Sequence, residues 1–108
     1  MSEFDDIISY LNKIVKIIKY NSMLVKKINN LNDMLYNTYS YKKRVEIIGE
    51  INKLKSEIIH INVKDEKIKI KEMLKETHLF TDNEINVFTD NFSFGDILYI
   101  LEDKIKTK

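Results

Sequence analysis

A chain of 108 residues with 44% hydrophobic and 32% charged side chains lies near the globular average, which excludes a disordered chain and leaves room for one modest core. Its longest apolar run, the five residues Ile97 to Leu101, is far short of the roughly 20 that a bilayer span requires, and the lack of cysteine excludes disulfides and thiolate metal sites. The net charge of +1 is unevenly spread: residues 11–75 carry fifteen basic and seven acidic groups, residues 76–108 three and seven, and residues 1–10 three acids.

A basic middle can attract an anionic partner, but a solvated lysine face explains it more simply. The 18 Ile, 17 Lys and 11 Asn beside one Arg and no Pro are the signature of AT-rich codons. They point to a low-GC bacterium, its phage, a virus or a parasite. The opening residues, with Glu3, Asp5 and Asp6, are acidic where a secretory or transit segment needs positive charge, so the expected location is cytoplasmic.

The first helix is expected over about residues 3–37. Ile7, Leu11, Ile14, Ile18, Val25, Ile28 and Leu35 recur with heptad spacing, and Tyr10, Ile17, Leu24 and Leu31 form an adjoining stripe. That face is wider than a two-stranded seam and suits a bundle. Lys13, Lys16, Lys19, Lys26 and Lys27 fall opposite it, with Tyr20 and Met23 on their side as secondary surface candidates. Asn21 and Asn32 interrupt the apolar seam, as residues that fix register or meet a polar partner do.

Short polar residues from Asn37 to Tyr41 predict a reversal. A second helix follows over about 41–62, with Val45, Ile47, Ile48, Ile51, Leu54, Ile58 and Ile61 at helical spacing. Residues 58–71 also alternate with period two, so a β-hairpin competes there with a third helix over 65–78, and a chain break is expected near 62–65. Phe80, Thr81, Glu84 and Ile85 form a capping box with a hydrophobic staple, and Phe92, Ser93, Asp96 and Ile97 repeat the arrangement. Helices are therefore expected over 82–90 and 94–106, with Leu79, Phe80, Phe88, Phe92 and Phe94 closing a core.

Signatures of chemistry are absent. Gly49 and Gly95 build no phosphate loop. Around Gly95 a calcium-loop register would place Phe92 and Phe94 at ligand positions and Leu101 where a bidentate Glu belongs. His60 and His78 lack a paired ligand pattern, and no serine has a nucleophile-elbow context. The expectation is a non-enzyme with no cofactor and no metal.

One segment resembles a known family. Tyr39 to Glu50, including Lys42, Lys43, Arg44, Val45, Glu46 and Ile47 behind a long amphipathic helix, is similar to the start of the second helix in tubulin-folding cofactor A, a three-helix chaperone of β-tubulin. The resemblance covers about a dozen residues and implies a tubulin-binding chaperone. The chain departs from that family in lacking its second-helix proline and in its Phe-rich C-terminal third.

The sequence thus predicts one all-α domain over 1–108, a long antiparallel helical hairpin with three shorter C-terminal helices in a small bundle. The expected function is protein-protein binding by a small regulator, inhibitor or assembly factor, with another protein as partner. A nucleic-acid-binding regulator using the basic first half ranks second, because a single Arg and an acidic last helix argue against base reading. The wide face of the first helix predicts either cover by the C-terminal helices or a homodimer, with the dimer favoured. Tyr36, Tyr39 and Tyr41 beside Lys42, Lys43 and Arg44 combine aromatic anchors with charge, which makes them the candidate protein-binding site.

Overall fold

The computed structural model describes residues 3–106, which contain five α-helices and no strand. These are α1 (Glu3–Tyr36), α2 (Tyr41–Glu57), α3 (Val63–Thr77), α4 (Asp82–Asn91) and α5 (Phe94–Lys106). The architecture is the expected all-α one, and none of the described helices is long and apolar enough to cross a membrane. The described residues group into two compact units, one made of α1 up to Lys16 with the chain from Ile61 onward, the other of Ile17–His60.

In the first unit, Ile7, Leu11 and Ile14 of α1 bury one stripe against Ile70 and Leu74 of α3, Ile85 of α4, and Phe94, Ile97, Leu98 and Leu101 of α5. Each fully buried aliphatic side chain contributes about 1.5–3 kcal/mol, so this core supplies the unit's main driving force. Phe80, Phe88 and Phe92 pack around it half-buried. The Phe80 and Phe88 rings meet edge to face at 5.4 Å, and Phe88 stacks on Phe92 at 6.2 Å. Leu79, expected in this cluster, is exposed instead. It follows His78, whose left-handed backbone (φ 57°) ends α3 and turns the chain where glycine more often serves.

Polar groups in this unit are tied locally. The Tyr10 hydroxyl donates to the Glu66 carboxylate, and that carboxylate, with burial, pushes the phenol up to about 12. Thr89, fully buried, returns its hydroxyl to the Ile85 carbonyl at 2.9 Å. Lys71 and Asp90 join α3 to α4 at 3.2 Å, and Lys104 lies 5.1 Å over the Phe80 ring.

The predicted N-caps of α4 and α5 both form, the first as a complete box and the second through the Ser93 bond. Thr81 accepts the Glu84 N–H at 3.1 Å, and Glu84 accepts the Thr81 N–H at 3.0 Å, which completes the box. Ser93 accepts the Asp96 N–H at 3.2 Å. Thr81→Ala and Ser93→Ala should each lower stability by about 1 kcal/mol in denaturant unfolding. The Thr81 N–H bond, helped by the Thr81 hydroxyl and Lys104, holds the Glu84 carboxyl below the usual carboxylate range. A depressed folded-state value stabilises above the unfolded value and loses that effect as pH falls. The penalty of Glu84→Gln, which removes the titrating carboxylate, should therefore shrink on acidification below about pH 4.5.

The second unit is an antiparallel hairpin. Leu35 and Arg44 meet beside the turn, while Asn21 and Ile59 meet at the far end. Between them Ile28, Ile47 and Ile51 are buried, with Leu31, Leu35, Leu54 and Ile58 packed against them. Leu24 is also buried.

The structure corrects the boundary between the second and third helices. α2 ends at Glu57 rather than near 62, and α3 begins at Val63 rather than 65. Two asparagines account for this. Asn21 of α1 donates its amide to the Ile59 carbonyl at 2.7 Å and accepts the Ile59 N–H at 3.0 Å, which pairs extended backbone where a helix would have used both groups internally. Asn62 then accepts the Asp65 N–H at 3.1 Å as the N-cap of α3, with Asp65 and Glu66 complementing the helix dipole. The alternation that suggested a β-hairpin over 58–71 is partly this linker and partly helix, since Ile70 is buried and Ile68 exposed on α3.

Candidate functional site

The turn between α1 and α2 reverses the chain without glycine or proline, and the terminal carbonyls of α1 are satisfied by the Asn37 and Thr38 backbone N–H groups together with side chains. Asn37 donates its amide to the Asp33 carbonyl at 3.0 Å, and Thr38 its hydroxyl to the Met34 carbonyl at 2.5 Å. Arg44 reaches back from α2, its Nη1 donating to the Leu35 carbonyl at 2.8 Å and the Thr38 carbonyl at 2.9 Å. A guanidinium at a helix C-terminus also complements the macrodipole.

This places the six predicted residues in two roles. Arg44 is half-buried and ties the turn together. Tyr36, Tyr39 and Tyr41 are 85%, 94% and 83% exposed, and Lys42 and Lys43, next in sequence, are exposed as well. The rings therefore do not cap the hairpin core, whose apolar contacts come from isoleucines and leucines. A tyrosine ring held in water leaves apolar area uncovered together with a hydroxyl that can donate and accept.

Behind the turn the hairpin has two unlike flanks. A groove of about 350 Å³ between Lys27, Asn30 and Leu31 of α1 and Glu50 and Leu54 of α2 marks the first. At 3.6 residues per turn, Lys43, Glu46 and Glu57 fall on the same side, as do Tyr20 and Met23. The secondary candidates Tyr20 and Met23 are thus exposed, but on the flank away from Tyr36 and Tyr41.

The opposite flank carries Ile18 and Val25 of α1 and Val45 and Ile48 of α2, all exposed, and runs on to Tyr36 and Tyr41. Its polar positions are Ser22, Asn29, Asn32 and Asn52. Among the described residues its basic groups are Lys55 and Arg44, the latter one turn from both Tyr41 and Ile48, and Asp33, one turn from Asn29 and Tyr36, borders it. The sequence pattern showed the wide apolar face of α1; it did not show that the heptad stripe holding Ile18 and Val25 emerges to solvent in this unit, because that depends on which flank α2 covers.

Among the described residues no group of three or more His, Asp or Glu side chains is arranged to hold a metal ion. His60 and His78 are both exposed. No family model matches the chain, and no curated protein and no solved structure matches it at a significant level.

Proposed function

We propose that this chain is a non-enzymatic binding protein, a regulator, inhibitor or assembly factor that engages another protein through the turn of its hairpin unit. The observation that carries the reading is the exposure of Tyr36, Tyr39 and Tyr41, three rings that the hairpin core leaves uncovered. Tyrosine brings large contact area at low entropic cost and is enriched among interface residues whose loss weakens binding most. The turn that presents them is held by the Asn37, Thr38 and Arg44 bonds, so little ordering remains for the partner to impose.

Lys42 and Lys43 follow these rings in sequence and are exposed at the same end of the hairpin. Their neutralisation separates a protein partner from a nucleic acid. The test is co-purification from the native host with nuclease treatment, followed by binding measurements on Lys42→Gln with Lys43→Gln across a salt series. A protein partner survives nuclease, and the double variant mainly slows its association. Capture that disappears with nuclease, with a shallower salt slope in the double variant, would overturn the protein-binding reading.

A further inference from the structure

We draw no further inference here: the strongest candidate, the exposed apolar flank of the hairpin unit formed by Ile18, Val25, Val45 and Ile48, carries none, because Arg44, Lys55 and the bordering Asp33 give it both signs of charge and nothing in the structure shows what covers it.

Discussion

Leu74→Ala should lower the unfolding free energy by about 2–5 kcal/mol. Leu74 is fully buried on α3 within the cluster that holds Leu11, Ile85, Ile97 and Leu101, so truncation removes transfer energy and leaves a cavity that packed neighbours fill only in part. A domain of this size has about 5–15 kcal/mol of total stability, so the loss is a large share of it. Leu79→Ala offers a matched comparison. It removes the same atoms from an exposed side chain and should change stability by less than about 1 kcal/mol. Urea unfolding of both variants reads the difference in midpoint at an unchanged slope. Equal losses would contradict the assignment of Leu74 to the core and Leu79 to the surface.

The contrast between these leucines shows which parts of the fold were legible in the sequence. Helix existence followed from 3.6-residue periodicity, and the starts of α4 and α5 from side chains that act within four residues of themselves, Thr81 with Glu84 and Ser93 with Asp96. Such signals need no tertiary information. The end of α2 did, because it depends on Asn21 reaching a backbone 38 residues away. A seam asparagine announces that a polar partner exists without naming it. His78 carried no signal either, since it adopts a left-handed conformation that side chains other than Gly and Asn seldom signal.

The candidate site was legible in the same partial way. The reversal and its three tyrosines could be found from composition, and their exposure is consistent with a surface role. The cluster of Lys42, Lys43 and Arg44 read as one charged patch, yet Arg44 is turned back onto the Leu35 and Thr38 carbonyls. Sequence adjacency cannot separate these roles, because helical rotation sends successive residues in different directions. The division of the hairpin into two flanks was hidden for a related reason. It appears only once α2 is docked on α1 and the lysines, glutamates and asparagines of both helices can be sorted by side.

The second large effect concerns binding and carries the central claim, that the exposed tyrosines of the turn are contact residues rather than parts of the fold. Tyr39 and Tyr41 bury little in the free chain, so their rings contribute almost nothing to stability that truncation could remove. In a complex each would cover a ring-sized apolar area and satisfy a hydroxyl, the combination typical of residues whose truncation costs about 1–4 kcal/mol of binding energy. Against the partner recovered by co-purification, the Tyr39→Ala and Tyr41→Ala double variant should bind roughly 5-fold to nearly 1,000-fold more weakly. The measurement that decides the matter is the dissociation constant of that double variant, taken beside its melting temperature. The account predicts weakened binding with melting within a degree or two of wild type; binding that stays unchanged, or a melting temperature that falls along with it, would contradict the claim.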